Sequence, residues 1–254
     1  RFRLTPEEII NLAIEAHNVG YKTIVLQSGE DAFYTTKILS EIVKEIKKTG
    51  LFVTLSCGEM SYKDYEILKE SGTDRYLLKH ETSNEILYKK LHPDSDFKTR
   101  KKCLKNLKEI GFETGGGFMI GLPEQTLLDI ANDLLLLKEI GCDMAGIGPF
   151  ISHPDTQLKA CPCGDTDLTL RVVALARILL PNLNLPATTS LGVLEKDKKN
   201  EIFSTGANVI MQKITPNNFK ELYQIYPAEF DDFSITDGRK NIEKQIIALS
   251  KIPV

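Results

Sequence analysis

Hydrophobic and polar positions follow two alternating periods along this chain. Short apolar runs rich in β-branched residues recur: TIVLQS (23–28), LFVTLS (51–56), DRYLLK (74–79), FETGGGFMI (112–120), DMAGIGPF (143–150), LPATTS (185–190) and ANVIMQKI (207–214). Such runs suit strands covered on both faces of a parallel sheet. Between them lie longer stretches with apolar residues three and four apart, among them ILSEIVKEIKK (38–48), TRKKCLKNLKEI (99–110) and DIANDLLLLKEI (129–140), which predict amphipathic helices. The helix ends are marked as well. Thr5-Pro6-Glu7-Glu8 combines a capping hydroxyl, a proline suited to the first helical position and two acids at the positive dipole end, predicting a helix to about His17. KKTG, KEIG and KEIG place lysine in the last turn and Gly50, Gly111 and Gly141 where a left-handed cap belongs.

Strand and helix alternate with a period of about 30 residues, so the chain reads as one α/β domain over residues 1–254 with a parallel sheet covered by helices. The pattern alone fits an open sheet or a closed barrel. A closed barrel of this kind has eight strands, whereas seven are found and the chain opens on a helix with no strand before it. The expectation is a TIM-type (β/α)8 barrel whose first strand lies upstream of Arg1.

Composition narrows the function classes. With 32 basic and 35 acidic residues the formal net charge is −3, which supplies no broad cationic field for a nucleic acid. No apolar run approaches the roughly 18 residues needed to span a bilayer. Five scattered cysteines without a signal peptide predict free thiols and a cytoplasmic location.

In parallel α/β folds, ligands collect at the C-terminal strand ends. Here those ends carry 27–31 (QSGED), 54–59 (TLSCGE), 79–82 (KHET), 119–123, 149–155 and 187–190. A solvated turn explains any one of them, but six on one rim predict a site. Gly115, Gly116 and Gly117 lie inside a strand and lack the Lys-Ser/Thr of a phosphate loop, so a close backbone approach to a ligand is expected instead. His80-Glu81 reads as a base with its orienting partner, or as an ion pair of Glu81 with Arg75 or Lys79. Cys161-Pro162-Cys163 resembles half of a metal site with one intervening residue, but no second pair completes it and no metal is expected there. Arg100 stands at a helix start, where a positive charge opposes the dipole; it reads as a solvated arginine or, from that misplacement, as the partner of an anionic ligand.

From Arg3-Leu4-Thr5-Pro6-Glu7-Glu8 to Tyr226-Pro227 the chain resembles the HydE family, the radical S-adenosylmethionine (radical SAM) maturases of [FeFe]-hydrogenase. The stretches that carry the resemblance are TIVLQSGED, DRYLLKHET, GLPEQT, GIGPFISHPDT, RILLPNLNLPATTS and GANVIM with the following LYQIYP. Biotin synthase and methylornithine synthase share the barrel but fit GIGPFISHPDT and PATTS less well. The resemblance implies that Gln27, Ser28, Gly29 and Glu30 meet the SAM amino group, with Thr54 and Ser56 on the same cavity. Glu81 would hold the ribose hydroxyls and Arg100 the SAM carboxylate. Thr188, Thr189, Met211, Tyr223 and Tyr226 would line a deeper substrate chamber.

The implied cofactors are S-adenosylmethionine and a [4Fe–4S] cluster. The family's CxxxCxxC cluster loop is absent from the 254 residues, so the cluster ligands are expected upstream of Arg1. Lys79 stands where the family has arginine, and Asp231 stands near the place of an accessory cysteine. The implied activity is generation of a 5′-deoxyadenosyl radical during assembly of the [FeFe]-hydrogenase active-site cluster. A small iron–carbonyl–cyanide compound would be the substrate, and other maturation proteins possible partners. The rival readings are a methylornithine-synthase-like or biotin-synthase-like enzyme, and a non-catalytic barrel that serves as a scaffold.

Overall fold

A computed structural model describes residues 2–216, 219, 222, 226 and 233–253. In chain order the elements are α1 (Pro6–Asn18), β1 (Thr23–Gln27), α2 (Thr36–Lys47), β2 (Phe52–Ser56), α3 (Tyr62–Glu70), β3 (Arg75–Leu77), α4 (Glu85–Leu91) and α5 (Phe97–Ile110). Then follow β4 (Glu113–Ile120), α6 (Leu127–Ile140), β5 (Met144–Pro149), α7 (Thr166–Leu179), α8 (Thr189–Leu194), α9 (Lys198–Thr205) and α10 (Ile235–Ala248). The chain divides into two compact units, one of Arg1–Gly58, Lys63–Arg75 and Ile210–Val254, the other of Glu59–Tyr62 and Tyr76–Val209.

In the first unit β1 and β2 run parallel, in register from Thr23↔Phe52 to Gln27↔Ser56. That register brings their polar C-terminal ends side by side. α1 begins in a reciprocal cap: the Thr5 hydroxyl accepts from the Glu8 N–H at 3.3 Å, and Glu8 Oε2 accepts from the Thr5 N–H at 2.7 Å. α2 lays Leu39, Ile42, Val43 and Ile46 toward β2, and each such side chain, fully buried, contributes roughly 1.5–3 kcal/mol. The chain leaves β2's far side through Asp74, which accepts from the Val53 N–H at 2.7 Å and from Lys47 Nζ at 2.8 Å.

In the second unit β4 and β5 pair in parallel from Gly115↔Met144 to Ile120↔Pro149. The segment that continues β3 follows β4, since the Leu78 and His80 N–H groups donate to Gly115 O and Gly117 O, both at 2.9 Å. α5 and α6 pack on β4, and α7 and α8 on β5. α5 and α6 end on Gly111 and Gly141 in left-handed conformation, as their KEIG endings predict.

Two expectations are corrected here. Residues 185–190 and 207–214 do not form strands; they meet in one isolated parallel bridge, Pro186↔Val209, and Asn184 just before the first segment bridges Met144 of β5. Pro186 has no N–H to donate, and the Leu185 N–H is taken by the Asn208 side chain at 2.7 Å, so a ladder cannot propagate. Thr189 and Ser190 open α8 instead. The glycine run is the second correction, because protein and not ligand space fills the places of its missing side chains. A Cβ on Gly117 would stand 2.3 Å from Gly146 O, one on Gly115 would meet Met144 and Leu77, and one on Gly116 would meet Leu137 and Cys142.

Candidate functional site

The end of β3 carries an unusual turn. Glu81 has φ +63, a left-handed conformation that costs a residue with a Cβ on the order of 1 kcal/mol and persists only where its surroundings enforce it. Its N–H donates to Gly117 O at 3.0 Å, its carbonyl accepts from the Met119 N–H at 3.2 Å, and the Thr82 N–H closes on His80 O at 2.8 Å. The carboxylate lies 3.1 Å from Lys79 Nζ, so the ion pair with Lys79 is formed. The oxygen in that ion pair is the buried Oε2, which makes no hydrogen bond. The Lys79 stem lies beside Gly146, where a Cβ would stand 3.7 Å from it, an ordinary contact. A carboxylate oxygen that makes no hydrogen bond suits a ligand that presents neighbouring hydroxyls.

His80 turns away from Glu81. Its ring is fully buried, with Nε2 3.4 Å from Asp133 Oδ1 on α6 and Nδ1 accepting from the Gly117 N–H at 3.4 Å. The Ser83 N–H also donates to Asp133, and Asn84 Nδ2 donates to Asp129 Oδ1 at 2.9 Å. Asp129, one helical turn before Asp133, is held below the usual carboxylate range by the Thr126 backbone and hydroxyl, with Asn84 adding to the effect. Asp129 and Asp133 escape a reading of strand ends, yet two acids four apart among the apolar residues of LLDIANDLLLL are a visible signal.

Arg100 is buried at 8% exposure near the start of α5, and it has an internal anion. Its Nε lies 2.8 Å from Glu59 Oε1 and 3.0 Å from the Tyr88 hydroxyl, while the Ser95 hydroxyl donates to the same Glu59 oxygen at 3.4 Å. Glu59 as the partner of Arg100 is a finding of the fold, since 41 positions in the numbering separate them. Thr188 and Ser190 place their hydroxyls against Gly148, where a Cβ would stand 2.6 Å from either oxygen. Thr189 is exposed on the first turn of α8.

In the first unit, the Ser28 N–H donates to Ser56 O at 3.3 Å, which places these two residues together. Thr54 is buried opposite Val25. Gln27, Gly29 and Glu30 are exposed, and Glu30 lies over Gly58. Met211 is about half exposed, Tyr226 is partly buried, and Tyr223 lies outside the described residues.

All five cysteines are free thiols. Burial pushes the Cys57 thiol up, with Ser28 partly opposing, and pushes Cys142 up to about 12. Cys161 packs beside Leu87, Leu122 and Phe150, and Cys163 Sγ lies 3.7 Å from the Ser152 hydroxyl. Among the described residues no group of three or more His, Cys, Asp or Glu is gathered to hold a metal ion. The cysteines present therefore do not fit an iron–sulfur cluster, which needs several convergent thiolates. Among the described residues no helix is long and apolar enough to cross a membrane.

Residues 1–137 match the family model described as the Radical SAM superfamily. The [FeFe] hydrogenase maturase subunit HydE of Thermotoga maritima is 55% identical over 90% of this chain, which spans 66% of that relative. The 3-methylornithine synthase of Methanosarcina acetivorans is 27% identical over 87% of this chain and 63% of its own length. The chain thus spans somewhat under two thirds of these relatives. A crystal structure of methylornithine synthase aligns with all of this chain and 75% of its own, with a TM-score of 0.85 at 23% identity, a likeness of fold.

Proposed function

Because the chain belongs to the radical SAM superfamily, we propose that its protein is an S-adenosylmethionine-dependent enzyme of [FeFe]-hydrogenase maturation. The observation that carries this reading is the 55% identity to the maturase, set against 27% to methylornithine synthase over nearly the same share of the chain. The finer reading of the fold is a TIM-type (β/α)8 barrel in one domain, supported by the likeness to a methylornithine synthase structure along the whole chain.

When bound, S-adenosylmethionine supplies the sulfonium whose reductive cleavage gives the superfamily its chemistry. This chain's part is to hold and orient it. Glu81 accepts from the ribose hydroxyls, a role supported by its Oε2, which is ion-paired with Lys79 but makes no hydrogen bond. Arg100 takes the amino-acid carboxylate, which must share the guanidinium with Glu59 or displace it. Gln27, Ser28, Gly29 and Glu30 meet the amino group, next to Thr54 and Ser56. Thr188, Thr189, Met211 and Tyr226 line the substrate chamber, whose occupant is a small iron–carbonyl–cyanide compound, and other hydrogenase maturation proteins are the partners. No step is assigned to a [4Fe–4S] cluster on these residues.

The test is anaerobic complementation with the full-length protein in a host that lacks its own maturase. Restored hydrogenase activity together with 5′-deoxyadenosine formation supports the reading. Methylornithine formation without restored hydrogenase activity overturns it in favour of the mutase, and neither product from a folded, SAM-binding protein overturns it in favour of a scaffold.

A further inference from the structure

The His80–Asp133 pair is a buried titratable pair with no part in the proposed chemistry, and its placement is specific. Both side chains are fully buried, and neither His80 Nε2 nor Asp133 Oδ2 has a hydrogen-bond partner. Because Nδ1 accepts from the Gly117 N–H, the ring proton of a neutral imidazole belongs on Nε2, the nitrogen that faces Asp133. Burying a carboxylate beside one N–H and one imidazole is costly, so the pair calls for a return elsewhere.

That return is legible in what the pair encloses. Asp133 grips the chain at His80 through the ring and at Ser83 through the backbone N–H, and Asp129 on the same face of α6 grips Asn84. Between these grips lies Glu81 with φ +63, in a turn closed by the Thr82 N–H on His80 O. The bonds from Gly117 and Met119 fix Glu81's backbone to β4, but they do not by themselves bend the chain back toward α4. The acids of α6 do so. Gly116 lets α6 approach β4 at this level, since a Cβ there would stand 2.6 Å from Leu137 on the same helix.

We propose that Asp133, acting through His80 and the Ser83 N–H, is a positioning residue that holds Glu81 in its left-handed conformation and aims its carboxylate at the vicinal hydroxyls of the ligand. The proposal rests on the reading that Glu81 binds the SAM ribose. It predicts an energetic coupling between Asp133 and Glu81 although no contact joins them.

The test is a double-mutant cycle on the full-length protein, with S-adenosylmethionine and its 2′,3′-dideoxy analogue titrated by calorimetry. Asp133→Asn should weaken SAM binding about tenfold in the parent and less than about twofold in a Glu81→Gln background, and should leave binding of the dideoxy analogue unchanged. An equal loss in both backgrounds, or an equal loss for the dideoxy analogue, would show general loosening and overturn the proposal alone. A Glu81→Gln variant that binds SAM like the parent would overturn the ribose reading and the proposal with it. Where Asp133→Asn does not fold, His80→Gln and His80→Ala decide by the same criterion. The glutamine keeps a donor facing Asp133 and should stay within about threefold of the parent, while the alanine should lose about tenfold, again only when Glu81 is present. Equal affinities for the two would reject the pair as a positioning device.

Discussion

After β1 the chain turns on bonds that it makes mostly with itself: the Ser28 hydroxyl donates to Gly29 O at 2.7 Å, and the Asp31 N–H to the same carbonyl at 3.0 Å. After β3 it turns on bonds made with a helix 50 positions away. The first turn uses glycine at its left-handed position, Gly29 with φ +63, and leaves Glu30 exposed. The second puts glutamate at the same φ and buries the histidine beside it. The first turn is thus held chiefly by its own neighbours and the second by residues far along the chain, although the two strand ends have the same kind of composition.

Thiol labelling gives the widest separation between the two regions. Cys57 follows β2 beside Ser28, while Cys142 lies behind β4 and α6, its sulfur 3.2 Å from where a Gly116 Cβ would be. If the first turn opens locally and the second only with the fold, Cys57 should react with a disulfide reagent roughly 100-fold or more faster than Cys142. Similar rates, followed by peptide mass spectrometry, would erase the distinction. The same burial makes a pH prediction. The folded Cys142 thiol keeps its proton to about pH 12, whereas the unfolded thiol loses it near an ordinary value of about 8.5. Its contribution to stability is complete below that lower value and declines as pH rises toward the higher one, so denaturant midpoints should fall between pH 8 and 10, and fall less in Cys142→Ala.

Ligand affinity should then follow the anchoring. Glu81→Ala removes charge-assisted hydrogen bonds worth about 1.5–3 kcal/mol, a ten- to hundredfold loss in SAM affinity by calorimetry. Arg100→Ala should cost about tenfold, and Lys105→Ala, which breaks an exposed pair with Glu139, less than about twofold. Equal affinities for these two variants would remove Arg100 from the site.

Much of this architecture is legible in the sequence, for physical reasons that differ by element. The Thr5–Glu8 cap, the glycine-ended helices and β1, β2, β4 and β5 follow from local chemistry, because each depends on residues within a few positions. The 185–190 and 207–214 segments have strand-like composition, but Pro186 and the Asn208 side chain decide their pairing. The ion pair of Glu81 with Lys79 is foreseeable at a separation of two residues. Glu59 opposite Arg100 and Asp133 opposite His80 are not, since a helix face and a distant turn become neighbours only in the folded chain.

The smallest effect isolates backbone strain. Glu81→Gly should raise thermal stability by about 1 kcal/mol while abolishing tight SAM binding, because glycine adopts a positive φ freely. Gly29→Ala should lower stability by about the same amount, although nothing lies within 4 Å of the new Cβ. A destabilised Glu81→Gly would mean that the turn after β3 stores no strain.

The squeeze of Gly117 on Gly146, and of Gly164 on Ile120, has a consequence in the language of the genetic code. A Cβ would stand 2.3 Å and 2.0 Å from the facing carbonyl oxygens, so the obstruction is backbone and cannot swing aside. Every amino acid reached from a glycine codon by one base change carries a Cβ. For these two codons, then, no single-nucleotide substitution that alters the residue leads to a tolerated neighbour. A saturation library selected for soluble protein should lose nearly all variation at both positions, although neither is assigned to a ligand, while codon 81 stays permissive until the selection asks for SAM.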